Sequence, residues 1–191
     1  MNKKRKMNLP NKLTLFRIIL TPLLVFFLLY DFRFSPLIAL VIFAVASVTD
    51  FLDGKIARKY GLVTDFGKFL DPIADKIVVL SALICFISEG LCSPVAVIIV
   101  IFREFIISSL RLIAASGSVV LAAGLSGKIK TATQMISITA VLAMLSFRSL
   151  SGGGFHVETV SLALTWLTAA VALYSGVEYI VVNRQYINPF E

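Results

Sequence analysis

The chain has 191 residues, of which 58% are hydrophobic and 15% charged, with a formal net charge of +7. A soluble domain is nearer to about 45–50% apolar, so this composition excludes an ordinary water-soluble globule and points to lipid as the solvent. The basic balance fits an anionic membrane surface and not nucleic acid, because most of the chain would be buried in bilayer. The length predicts one domain spanning 1–191.

Lys3, Lys4, Arg5 and Lys6 form a basic juxtamembrane segment that anchors the chain to anionic lipid. The apolar run Leu13–Tyr30 follows. It is too long for a signal-peptide core and no small-residue cleavage site comes after it, so it reads as a retained first membrane helix. Asn11, Thr14 and Arg17 recur at helical spacing near its start and can line a nucleotide or lipid headgroup. Asn11 is equally placed to cap the helix.

A membrane helix needs about 20 apolar residues. Six spans meet that need, at 13–30, 36–57, 70–89, 94–115, 127–147 and 157–182. The fold class is therefore all-α, a polytopic membrane protein of six transmembrane helices. Breaks fall at Asp31–Ser35, Lys59–Phe69, Glu89–Ser93, Ser116–Ser126 and Arg148–His156, several marked by Gly or Pro. Cys85 and Cys92 have no metal-ligand spacing and read as apolar-site thiols. His156 falls in an outer loop, away from any chemistry, and Trp166 reads as a lipid-facing or packing side chain.

Orientation follows from the Lys/Arg bias. With both termini inside, the outer loops hold only Arg33 and Arg148 of the 18 Lys and Arg residues. This places the inner ends of the second and third helices on the cytoplasmic side of a plasma membrane.

Four aspartates, Asp50, Asp53, Asp71 and Asp75, fall at those inner ends. A carboxylate at a helix centre costs about 2.5–3.5 kcal/mol on insertion scales, and such residues normally face a bundle interior or a watery cavity. At about 100° per residue, Asp50, Asp53, Gly54 and Ala57 share one helical stripe. Asp71 and Asp75 lie one turn apart on the next helix, with Gly67 one turn below if that helix starts early. Two carboxylate pairs on adjacent helices can converge. Divalent cations would remove the repulsion between them, and oxygen-only ligands suit Mg²⁺ or Mn²⁺ and not zinc. A structural ion-pair network with Lys55, Arg58, Lys68 and Lys76 is the competing reading. It leaves unexplained why all four acids are Asp and none is Glu.

Asp50, Asp53, Gly54, Ala57, Arg58, Gly67, Asp71 and Asp75 match the pattern D-x2-D-G-x2-A-R-x8-G-x3-D-x3-D with every gap correct. This resembles the signature of the CDP-alcohol phosphotransferase family, and the wider likeness covers nearly the whole chain. The resemblance implies a phosphatidyl transfer from CDP-diacylglycerol to an alcohol with release of CMP. It implies that Asp50, Asp53, Asp71 and Asp75 hold two divalent cations, Asp50 and Asp71 bridging both, and that Asp75 is also the general base. It implies CDP-lipid contacts from Gly54, Ala57, Arg58, Thr64 and Gly67, and a homodimer among membrane lipids. A guanidinium fork at Arg58 suits diphosphate oxygens. Shorter stretches, Asn8–Thr14, Arg103-Glu104-Phe105 and Gly127–Thr131, resemble the bacterial members whose acceptor is sn-glycerol 3-phosphate.

An acceptor carrying phosphate needs a second anion site. Arg103 and Arg111 lie on one row of the fourth helix, and Lys128 and Lys130 open the fifth. With Lys76 they are expected to form a basic pocket. Arg103 can instead pair with Glu104, and Lys130 can be a plain inner-side charge. Other acceptors (serine, inositol phosphate, phosphatidylglycerol) are the runner-up, followed by a divalent-cation transporter and by a non-catalytic scaffold.

Overall fold

The computed structural model describes residues 8–60, 65–116, 124–152 and 156–184, without the side chains of 57–60, 65, 66, 68, 69 and 116. These residues form six helices: α1 (Leu9–Leu29), α2 (Ser35–Tyr60), α3 (Asp65–Ser88), α4 (Pro94–Ser116), α5 (Leu125–Ser151) and α6 (Val157–Val182). No strand occurs among the described residues.

All six apolar runs are helical, and the boundaries differ from expectation where polar residues continue a helix. α1 begins at Leu9, with Pro10 in its first turn, where a fixed φ and a missing N–H cost nothing. The flanking residue is Asn8, so Asn11 is not the cap; it lies inside the first turn and is buried. α3 starts at Asp65, well before its apolar stretch, and Gly67 is therefore helical and one turn ahead of Asp71. Pro72 sits inside α3 and cannot offer an N–H to the carbonyl four residues earlier, which removes one rung of the helix beside Asp71. α5 runs on to Ser151, so Arg148 is in its last turn and not in a loop. A cation is favoured there by the exposed carbonyls of a helix C-terminus. His156 flanks the start of α6.

Four of the helices, α1, α2, α5 and α6, are long and apolar enough to cross a membrane. α3 and α4 have the length, but α3 carries Asp71, Asp75 and Lys76 and α4 carries Arg103, Glu104 and Arg111. Their charges, and not their apolar residues, set them apart.

The chain divides into two compact units. The first comprises residues 1–85 and 142–155, the second 86–141 and 156–191. In the first unit α1 packs along α2. The buried face of α1 is Pro10, Asn11, Thr14, Arg17, Leu20, Thr21 and Leu24, while Phe16, Ile19, Leu23 and Phe26 point outward. Polar groups inside and large apolar ones outside is the reverse of a water-soluble protein and suits a lipid surround. At one end of this unit the Arg33 guanidinium donates to the Leu150 carbonyl at 3.4 Å, and Ser149 Oγ donates to the Arg33 carbonyl.

In the second unit α4 packs along α6. α6 buries small and hydroxyl side chains, among them Ser161, Thr165, Thr168, Ala172 and Ser175, and shows Leu167, Leu173, Val177 and Val181 outward. Small residues let helix backbones approach closely. Thr168 Oγ1 donates to Ser137 Oγ at 3.0 Å, tying α6 to α5. Cys85 and Cys92 are both buried, and burial pushes the Cys92 thiol up to about 11, far from a reactive thiolate.

Candidate functional site: two ionic clusters

In the first unit, three of the four signature aspartates meet one cation. Arg17 is on the buried face of α1, with 2% of its side chain exposed. Its Nη1 pairs with Asp50 Oδ1 at 2.7 Å and also with Asp75 Oδ1, and its Nη2 pairs with Asp53 Oδ2. Helix spacing explains the convergence. Asp50 and Asp53 are one turn apart on α2, Asp75 faces them from α3, and Arg17 reaches up from α1. Asp53 is buried, whereas Asp50 and Asp75 are half-exposed. The Nε of Arg17 is buried with no hydrogen-bond partner.

Asp71 is held separately. Thr14 Oγ1 lies 2.6 Å from Asp71 Oδ1 and 3.1 Å from the Pro10 carbonyl. A hydroxyl has one proton to give, and the shorter, charge-assisted contact to Asp71 is the stronger. Thr14 therefore orients a carboxylate across the α1–α3 contact. Gly67 is buried and Gly54 half-buried on the faces that carry the aspartates. Lys76 Nζ donates back to the Pro72 carbonyl of its own helix at 3.0 Å. The side chains of Ala57 and Arg58, and the whole of Thr64, lie outside the described residues.

Among the described residues, no three acidic, histidine or cysteine side chains are gathered tightly enough to hold one ion as they stand. The donor set still suits divalent cations. It consists of carboxylates alone, and three of them already enclose a positive charge, that of Arg17. Hard oxygen donors of this kind suit hard divalent cations and not soft ones.

In the second unit the charges are inverted. Glu104 Oε1 accepts from Arg103 Nη1 at 3.0 Å and from Lys130 Nζ. Lys130 is buried and also donates to Gln134 Oε1, one turn further along α5. Arg103 Nη2 donates to Ser175 Oγ of α6 at 2.6 Å, and its Nε is buried without a partner. The Arg103 side chain lies over Gly176, where an added Cβ would meet its Cγ at 3.1 Å. Arg111, two turns on along α4, points its Nε to Tyr179 Oη at 3.2 Å and lays its guanidinium over the same ring, 5.4 Å from the centroid. Arg111 and Lys128 are exposed.

Of the expected anion-site residues, Arg103 and Lys130 are thus brought together on Glu104, and Arg111 stands against Tyr179. Sequence reading missed Gln134, Ser175 and Tyr179. Their signal was present: Gln134 is four residues from Lys130, and Ser175 and Tyr179 are four apart on the same row of α6 as Thr168 and Thr165. Neither pattern names its partner helix.

A family model described as CDP-alcohol phosphatidyltransferase matches residues 7–174. Curated relatives named CDP-diacylglycerol–glycerol-3-phosphate 3-phosphatidyltransferase are similar along almost their whole length. The protein from Bacillus subtilis strain 168 is 40% identical, over 92% of this chain and 95% of its own. That from Rickettsia felis is 32% identical, over 94% and 97%. That from Haemophilus influenzae is 35% identical, over 94% and 95%.

Proposed function

The chain belongs to the CDP-alcohol phosphatidyltransferase family, and we propose that within it the chain transfers a phosphatidyl group from CDP-diacylglycerol to sn-glycerol 3-phosphate, giving phosphatidylglycerophosphate and CMP. The observation that carries this is the gathering of Asp50, Asp53 and Asp75 around one buried positive charge, in a chain whose curated relatives bear that activity's name over nearly their full length. The family match spans both compact units, which supports treating 1–191 as one catalytic domain.

The reaction is a displacement at the β-phosphorus. The acceptor hydroxyl forms the new P–O bond, its proton goes to a carboxylate, and the bond to the CMP oxygen breaks. Asp75 is assigned the proton: it is half-exposed, as a group that meets an incoming hydroxyl must be. Asp50, Asp53, Asp71 and Asp75 would hold two divalent cations, Mg²⁺ or Mn²⁺. When bound, these neutralise the diphosphate and supply Lewis-acid charge to the attacking and leaving oxygens. Thr14 fixes the Asp71 carboxylate, and Asn11 lies buried one turn before it on the same face. Gly54, Ala57, Arg58, Thr64 and Gly67 are assigned to the CDP-lipid, where a fixed guanidinium at Arg58 would bind the diphosphate.

For the acceptor phosphate, Arg111 and Lys128 are the exposed cations of the second unit. Arg103 and Lys130 contribute through their shared Glu104, so their charge is partly balanced before any phosphate arrives. Lys76, turned back on its own helix, is assigned a smaller part.

We read all six helices as membrane-spanning, with both termini and the aspartates on the cytoplasmic side of a bacterial plasma membrane, and the protein as a homodimer. The contacts of Arg33 with Leu150 and Ser149 gather the α1–α2 connection and the end of α5 at one end of their unit, as this topology requires, while the orientation itself rests on the Lys/Arg bias.

The test is release of CMP from CDP-diacylglycerol by the purified protein in mixed micelles. Release should require glycerol 3-phosphate, stop with EDTA, and return with Mg²⁺ or Mn²⁺. Release supported only by serine, inositol phosphate or phosphatidylglycerol would overturn the acceptor, and undiminished release in EDTA would overturn the role of the cations.

A further inference from the structure

Arg17 is not among the signature residues, yet it holds three of them. The two halves of its guanidinium are in different surroundings. Nη2 is committed to buried Asp53, while Nη1 bridges Asp50 and Asp75, whose carboxyls are half-exposed. Nε has no partner, so the group is held only through its two terminal nitrogens, at the end of a flexible stem. One face of this ionic lock is open to solute and the other is sealed.

We propose that Arg17 is the resident counter-cation of the cluster, and that divalent ions enter by displacing its Nη1 from Asp50 and Asp75 while Nη2 stays on Asp53. The inference rests on the reading that these aspartates take divalent cations. Without a positive charge, three carboxylates at this spacing would repel one another and splay. Arg17 therefore keeps the metal-free cluster assembled. It also opposes the incoming ion, because its charge must be pushed aside. The cluster's cation affinity is accordingly set below what four carboxylates alone would give.

The experiment is direct Mn²⁺ binding to the full chain in detergent micelles, read by electron paramagnetic resonance of the free ion, with no substrate present. Arg17→Gln removes the charge and keeps polar length. Its Mn²⁺ Kd should fall by at least about tenfold, because a unit charge a few ångströms away opposes the ion strongly even at an effective dielectric constant of ~20. Arg17→Lys keeps the charge but cannot bridge three carboxylates at once, and its Kd should fall between those of wild type and Arg17→Gln. If Arg17→Gln is recovered folded only when Mn²⁺ is present during purification, the ion has taken over the assembling role, as proposed. Failure to fold with and without Mn²⁺ would overturn the proposal, as would equal or weaker Mn²⁺ binding by folded Arg17→Gln. No Mn²⁺ binding to wild type would instead remove the cation reading on which the inference rests.

Discussion

The two ionic clusters are charge inverses of each other. In the first unit a single guanidinium faces three carboxylates. In the second a single carboxylate faces a guanidinium and an ammonium. Each leaves an excess inside the cluster, negative in one and positive in the other. A low-dielectric surround does not tolerate a lone charge, and in each cluster the more numerous charges all meet one shared group of opposite sign. The proposed function assigns a ligand class to each sign: cations and the diphosphate for the first, an acceptor phosphate for the second. The clusters also differ in access. Asp50 and Asp75 are half-exposed, whereas Lys130 and most of Arg103 and Glu104 are buried. The first is open to solute and the second is sealed, with Arg111 and Lys128 exposed elsewhere in its unit.

The comparison breaks if either cluster fails to behave as its burial implies. The largest effect is expected at the open cluster. Asp75→Asn should lower kcat for CMP release by about 10⁴-fold, through loss of the assigned base and of a cation ligand, with the protein still folded. Near-normal turnover would remove Asp75 from the chemistry. Next comes the sealed cluster. Glu104→Gln leaves Arg103 and Lys130 as neighbouring cations without their carboxylate, and should cost about 3–5 kcal/mol of stability, read as an earlier thermal transition in detergent. An unchanged transition would mean that the second cluster is not a structural ion pair at all. The smallest effect sharpens the first cluster. Thr14→Val removes the hydroxyl that orients Asp71 and should reduce kcat/KM by roughly tenfold, in line with about 1.5 kcal/mol for a hydrogen bond to a charged group. Thr14→Ser should restore most of it.

Much of this was legible in the sequence. Carboxylates at Asp50, Asp53, Asp71 and Asp75 stand out because each is costly in an apolar run, and helical spacing alone puts the pairs on common faces. The six helices follow from long, mainly apolar runs, although charges interrupt those of α3 and α4. What the sequence left unread is partnership. Asn11, Thr14 and Arg17 form a visible stripe, but nothing along α1 says that Thr14 and Arg17 meet aspartates of two other helices. The sequence offers Arg103 its chain neighbour Glu104, whereas Ser175 and the Lys130 that shares Glu104 come from helices far away in sequence. The early start of α3 is obscured for a related reason: Gly67 and Lys68 look like a break in the sequence, although both are helical. Periodicity gives a residue its face; the identity of what that face meets depends on how helices cross.

Gly176 lies so close under Arg103 that a single methyl there would meet the arginine stem at 3.1 Å. The two positions are therefore not independent in evolution or in the hands of an engineer. Alanine at 176 requires the arginine stem to give by a few tenths of an ångström, and that shift bears on its grip on Glu104 and Ser175. The effect of a methyl at 176 therefore depends on which side chain stands at 103, which makes this pair a natural place to look for non-additive substitutions.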